Sequence, residues 1–182
     1  MFAIFPPSLR AADNWTVEGA NGTLYVHGVL TESACRLELT SAHQEIALAN
    51  TGTGRLNKIG ARGEPAIFKL QLTDCLRGTA GSHDVRTGGT TWADSQPSVT
   101  VSFKGMHDAD NPQLVKVNGV SGLGLRLQDC NGLDVRFGGP GKPLLLMPGQ
   151  NVLCYTVAPE RTSAELVAGY YRATVDFHLS YE

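Results

Sequence analysis

The stretch Tyr171–Tyr181, YRATVDFHLSY, decides the fold of this chain. Apolar and polar side chains alternate along it, which is the pattern of a strand with one buried face. The apolar positions are Tyr171, Ala173, Val175, Phe177, Leu179 and Tyr181. Such a strand must line a core, yet the sequence supplies no later segment that could pair with it as a hairpin. We therefore expect one backbone edge of this strand to lack a partner within the chain, and the function to lie in how that edge is satisfied.

A second strand is predicted near the other end of the sequence. The residues of one parity are small or apolar, and those of the other parity are Asn21, Thr23, Tyr25 and His27. The small or apolar positions are Ala20, Gly22, Leu24 and Val26. This segment could be the first strand of a complete sandwich. Alternatively, it could pair with the unpartnered edge in another copy of the chain.

Composition favours a single all-β domain. The chain has 182 residues, of which 42% are hydrophobic and 18% charged, enough for one sizeable core. The net charge of −2 gives no electrostatic signature of binding to nucleic acid or to an anionic membrane. Glycine occurs 21 times and proline 9 times, which indicates many turns, and no capped amphipathic helix is evident.

Short apolar runs between turns predict about seven or eight strands in a two-sheet sandwich. Asn131-Gly132 is a hairpin signal that leads into a predicted strand over 133–137. The stretch Arg77–Gln96 is polar and glycine-rich and is interpreted as a long loop with Trp92 as its apolar anchor. The other candidate strands are 35–39, 44–49, 67–72, 99–103, 123–127, 144–147 and 152–157.

The four cysteines, Cys35, Cys75, Cys130 and Cys154, lack the short spacings of a zinc site or a thioredoxin-like motif. They are either four reduced, buried thiols or two disulfide bonds, and the even number favours disulfides and an oxidising compartment. Three pairings are possible, of which we favour the sequential one. Each bond would then stabilise the fold by roughly 3 to 4 kcal/mol in the chain-entropy model.

Residues 1–12 resemble the remnant of a secretion signal whose start lies upstream, although an ordinary N-terminus would fit equally well. No stretch approaches the roughly 20 apolar residues of a transmembrane helix. We expect an exported protein with a secretion-signal remnant over 1–12, an N-terminal extension over 13–28 and a domain over 29–182.

No residue set indicates an enzyme, a cofactor or a metal. The histidines have no metal-ligand spacing, and no serine, histidine and carboxylate group suggests a catalytic site. The segment 108–111 resembles the start of a calcium loop, but Pro112 occupies a ligand position. The segment 138–142, GGPGK, lacks the hydroxyl residue of a phosphate loop. A single-domain carbohydrate- or surface-binding module and a secreted β-sandwich enzyme remain as alternatives.

From about Gly22 onward the sequence resembles the subunits of chaperone–usher pili, the type 1 and P pilins of Gram-negative bacteria. The matching elements are GTLYVHG (22–28) before the first cysteine, FKLQLTDC (68–75) and GLGLRLQD (122–129). The arrangement of Gly169, fourteenth from the end, and Tyr181, the penultimate residue, is specific to this family. The two further cysteines depart from the usual two-cysteine pattern and suggest a minor pilin.

The resemblance implies an immunoglobulin-like sandwich that lacks its last strand, which a periplasmic chaperone and then the N-terminal extension of the next subunit supply. It makes Cys35–Cys75 the standard disulfide, with Cys130–Cys154 as a possible second bond. It implies an acceptor groove along Gly169 and the apolar positions of Tyr171–Tyr181, with the Glu182 carboxylate anchored by basic residues of the chaperone. The expected partners are other pilin subunits, the chaperone and an outer-membrane usher, and the expected location is a fimbrium on the cell surface, reached through the periplasm.

Overall fold

A computed structural model describes residues 23–27 and 34–181. The chain divides into two compact units, Met1–Thr31 and Glu32–Glu182, and the second contains the folded domain. Its architecture is a sandwich of antiparallel sheets, so the prediction of an all-β fold is confirmed. In this described part, no helix is long and apolar enough to cross a membrane.

The larger sheet has five strands, numbered here in chain order. They follow one another across the sheet as β1 (Arg36–Leu37), β2 (Ala66–Cys75), β9 (Gly149–Arg161), β7 (Leu123–Asp129) and β6 (Val115–Lys116). The long central strand β9 pairs along most of its length with β2 on one side and β7 on the other. This sheet therefore provides the rigid body of the domain.

The second sheet has three strands, with β5 (Ser98–Gly105) between β10 (Val175–Tyr181) and β8 (Leu144–Leu145). Strand β10 pairs with β5 from Val175↔Gly105 to Tyr181↔Val99. No other described strand follows β10 in this sheet, so β10 is an edge strand.

The core lies between the two sheets and is built from the inward-facing parity of each strand. Leu70 and Leu72 of β2 and Val99 of β5 are fully buried, and Phe103 is 2% exposed. The inward parities predicted for 67–72 and 99–103 are therefore correct.

Two stretches differ from the predicted pattern. The polar stretch Arg77–Gln96 is not a plain loop but contains the hairpin β3 (Ala80–His83) and β4 (Thr90–Ala93). Residues 133–137 form no strand, because the Asn131-Gly132 turn is followed only by isolated bridges such as Gln128↔Asp134.

Two short helical turns occur where no helix was expected, Leu39–Ala42 (α1) and a 3₁₀ turn over Thr53–Leu56. In α1 the buried hydroxyl of Ser41 accepts a hydrogen bond of 2.9 Å from the backbone N–H of Gln71. The turn is therefore tied to β2 just before residues 44–50, which belong to no described strand.

Candidate functional site

A long groove opens between the two sheets, with a volume of about 1270 Å³. Residues 42–51 form one wall, and residues 169–177 form the other. The floor consists of core side chains from both sheets, namely Phe68, Leu70, Phe103, Leu125, Leu127 and Val157. The groove therefore has an apolar floor that belongs to the hydrophobic core, between walls that also carry polar residues.

The wall formed by residues 169–177 overlaps the alternating stretch Tyr171–Tyr181. From Tyr171 to Leu179 the odd positions are half-buried and the even positions exposed, as the alternation predicted. Strand pairing with β5 starts at Val175 rather than at Tyr171, because β5 ends opposite it at Gly105. The apolar face of this stretch packs on the core but is covered only in part.

The start of this wall is positioned by a neighbouring loop. Asn118 and Arg172 exchange two backbone hydrogen bonds of 2.9 and 3.0 Å. A side chain at Gly169 would meet Val120 Cγ1 at 3.3 Å and Gly119 O at 3.4 Å, closer than most real contacts. Glycine at 169 therefore lets the wall lie directly against this loop.

The opposite wall was not recognised from the sequence. Residues 44–49 were predicted as a strand, but the segment is anchored mainly at its start, where Gln44 Nε2 donates to Lys69 O at 2.9 Å and to Ser41 O at 3.1 Å. Ile46 is exposed and Leu48 is half-buried against the core. The groove thus lies between a wall that belongs to no strand and a sheet edge.

Four aromatic rings join the two sheets beneath the groove. Phe103 lies edge-on to Tyr155 with ring centroids 4.9 Å apart, and Phe68 stacks on Tyr155 at 5.5 Å. Phe103 also contacts Phe177 of β10 at 6.5 Å. Burial, with a smaller contribution from the negative charge of Asp129, raises the pKa of Tyr155 to about 12. The phenol of Tyr155 therefore stays neutral over the ordinary pH range, beneath a floor of apolar side chains.

The charged clusters of the domain lie among residues that do not line the groove. Glu160 is buried at the end of β9 and forms ion pairs with Arg126 and with Arg62, the latter at 2.7 Å. Burial raises the pKa of Glu160, but hydrogen bonds from Arg126 and Arg62 outweigh it, so the pKa lies below its ordinary value. A second pair, Asp84 and Arg136, is bidentate with distances of 2.5 and 2.9 Å. These ion pairs hold loops to the sheets and leave the groove to apolar contacts.

Both disulfide bonds are present with sequential pairing, Cys35–Cys75 and Cys130–Cys154. The first joins the start of the domain to the end of β2, and the second joins the turn after β7 to β9. Among the described residues, no three His, Cys, Asp or Glu side chains converge as a metal site would require.

The N-terminal segment is described only over residues 23–27, which form neither helix nor strand. Leu24 is 85% exposed and Val26 84% exposed. Ala20 and Gly22 of the predicted strand lie outside the described residues, as do residues 1–12 and Glu182.

The fold and the groove define a class of protein, an immunoglobulin-like sandwich with one strand missing, which is the architecture of chaperone–usher pilins. The model of the fimbrial protein family matches residues 21–182, and the chain therefore belongs to this family. Its members are structural subunits of surface fimbriae rather than enzymes.

Relatives of known name agree with this assignment. The chain is 28% identical to the probable major fimbrial subunit LpfA of Escherichia coli O157:H7, covering 100% of this chain and 96% of the relative. It is 27% identical to the PRS fimbrial minor pilin protein of Escherichia coli, covering 97% of this chain and 87% of that protein. Because both a major and a minor subunit match, assignment as a minor pilin stays a prediction.

A solved structure supports the fold directly. The P pilus rod subunit PapA superposes with a TM-score of 0.66 at 25% identity, covering 82% of this chain and 100% of that chain. A chaperone–usher pilus subunit at 22% identity gives a TM-score of 0.65 and supports the fold alone.

Proposed function

We propose that this chain is a structural subunit of a chaperone–usher fimbria that polymerises by donor-strand exchange and serves cell adhesion. In this proposal, the extension over 13–28 of one copy enters the groove of another, with Ala20, Gly22, Leu24 and Val26 facing its floor. The observation that carries the proposal is the groove between the two sheets, whose wall next to the edge strand β10 carries apolar side chains that are only half-buried.

The energetics favour a strand as the occupant. A β-strand added beside β10 can satisfy backbone groups on its open edge, each hydrogen bond contributing roughly 0.5 to 1.5 kcal/mol net. Seating Leu24 and Val26 in the groove would add roughly 1.5 to 3 kcal/mol each, since both side chains are now almost fully exposed. A small-molecule ligand would satisfy the apolar floor but not the row of backbone groups.

The geometry of exchange leads to a filament. Donor and acceptor are different surfaces of the same chain, so the contact between copies is heterologous, and repeated use of it extends an open chain of subunits. Before assembly, the half-buried apolar side chains along the groove and the open edge of β10 would promote aggregation. A periplasmic chaperone that lends a strand to the same groove, and an outer-membrane usher that exchanges it, would prevent this during export.

The test is to purify the chain with and without a co-expressed periplasmic chaperone and then add a synthetic peptide of residues 14–27. We expect a soluble complex only with the chaperone, displacement of the chaperone by the peptide, and a rise in melting temperature. The matched control is a peptide of the same composition in scrambled order. If the chain alone folds reversibly as a monomer and ignores both peptides, the proposal is refuted.

A further inference from the structure

An exposed apolar patch lies at the end of the sandwich where β2 ends and β9 begins. Leu76 is 65% exposed and Met147 is 60% exposed, and Leu144 and Leu145 of β8 are also exposed. We call these four residues the base patch. None of them lines the groove.

The base patch is held together by specific hydrogen bonds. The side-chain amide of Asn151 accepts from Met147 N at 2.8 Å and donates to Met147 O at 2.6 Å and to Cys75 Sγ at 3.2 Å. Gln96 Nε2 lies 2.9 Å from the sulfur of Met147. The loop carrying Met147 is thus fixed beside the end of β2, so the exposed side chains are presented by a rigid support.

The length of the connecting chain limits how far the donor segment can reach from this patch. The N–H of Leu76 donates to Ala34 O at 2.8 Å, so the domain begins directly beside the base patch. Only six residues separate His27 from Ala34, and the seven Cα–Cα steps between them span at most about 25 Å when fully extended. If residues 20–26 occupy the groove of another copy, the connecting chain keeps the base patch within about 25 Å of the end of that groove.

The end of the groove that lies far from the base patch carries a second exposed apolar surface. The side chain of Tyr170 is 99% exposed and Val167 is 50% exposed, on either side of Gly169. The carboxyl end of β10 lies toward the base patch, because Tyr181 pairs with Val99, and the adjacent Ser98 pairs with Leu145. Tyr170, at the start of the same wall, therefore lies at the other end of the domain.

We infer that the base patch of one copy packs against Tyr170 and Val167 of the copy that accepts its donor segment. This inference rests on the proposed function and adds a second contact to each joint. A heterologous assembly requires two different surfaces to meet, and these two apolar surfaces lie at opposite ends of the domain. Their contact would cover the end of the groove and restrict bending between subunits.

The test uses fimbriae assembled from the full chain with a photo-crosslinking amino acid at position 147. After irradiation, peptide mapping should show crosslinks to residues 167–172 of another copy, at least tenfold above those from the same probe at Val85. Val85 is a matched control because it is 70% exposed but lies in the β3–β4 turn. A probe at Leu76 repeats the experiment if substitution at 147 prevents folding.

The outcomes separate this inference from the proposed function. Intact fimbriae with crosslinks that map elsewhere, or only to the donor segment, would overturn the packing of the base patch and leave donor-strand exchange in place. Failure of the chain to assemble, together with failure of the 14–27 peptide to bind, would overturn both. A further supporting result would be shortened fimbriae for Met147→Lys and restored length when Tyr170→Glu is added.

Discussion

The parity of the donor segment gives the sharpest quantitative prediction. Leu24 and Val26 are 85% and 84% exposed, so nearly all of their apolar surface is available for burial in a groove. Burial contributes about 0.8 kcal/mol per CH₂, and truncation of both residues to alanine removes about five carbon atoms. Scaled by the exposed fraction of the two side chains, the loss of binding free energy is about 3 kcal/mol, which weakens peptide binding roughly 100- to 1,000-fold.

The control is the opposite parity of the same peptide. Thr23→Ala with Tyr25→Ala removes a larger apolar surface, but from side chains that should face solvent, so affinity should change by less than tenfold. Binding of labelled 14–27 peptides to the full chain, released from its chaperone, can be measured by fluorescence anisotropy. If the Thr23/Tyr25 peptide loses more affinity than the Leu24/Val26 peptide, the predicted orientation of the donor strand is wrong.

Three further predictions concern the stability of the domain. Glu160→Gln should lower the melting temperature at pH 7. Because the pKa of Glu160 is lowered in the folded state, its contribution to stability is complete above its unfolded pKa and is lost as the pH falls through its folded pKa. The melting temperatures of the two proteins should therefore converge in acid. Gly119→Ala should destabilise the domain, since Gly119 has φ +107° and a side chain there would collide with the following wall, whereas Gly54→Ala, with open space around it, should leave the melting temperature nearly unchanged. Replacing Cys130 and Cys154 together by serine should cost about 3 kcal/mol, measured by denaturant unfolding of the chain saturated with 14–27 peptide, and an unchanged midpoint would contradict the chain-entropy argument.

Much of the fold could be predicted because alternation reports directly on a two-sided strand. The inward parity of Phe68, Leu70 and Leu72, and the alternation from Tyr171 to Leu179, are both confirmed by burial. The hairpin β3–β4 could not be predicted in this way, because its inward residues include Ala80 and Ser82, which carry no hydrophobic signal. The hairpin is held instead by the ion pair between Asp84 and Arg136, two residues that lie far apart in the sequence.

The candidate site was predictable on one side only. The apolar face of β10 follows from its own sequence, but the wall over 42–51 depends on the path that Ser41 and Gln44 set against β2. The alternation of Ile46 and Leu48 predicts a strand, but this segment borders the groove. The described residues supply no strand there with which it could pair. Local sequence therefore cannot distinguish a paired strand from one wall of a gap.

The contacts that stabilise the domain are separate from those that the groove offers to a partner. This separation explains how a sandwich that lacks one strand can fold before a partner binds. Beneath the groove, Phe103 and Tyr155 join the two sheets, and the two disulfide bonds restrict the unfolded chain. These terms act whether or not the groove is filled, so they favour a subunit that is folded but still exposes apolar surface. The groove adds a separate free energy that is realised only when a strand of the right parity enters it. Because β10 provides both an apolar face and an open edge, that free energy combines side-chain burial with backbone hydrogen bonding. A partner that makes only the apolar contacts or only the hydrogen bonds should therefore be displaced by a partner that makes both.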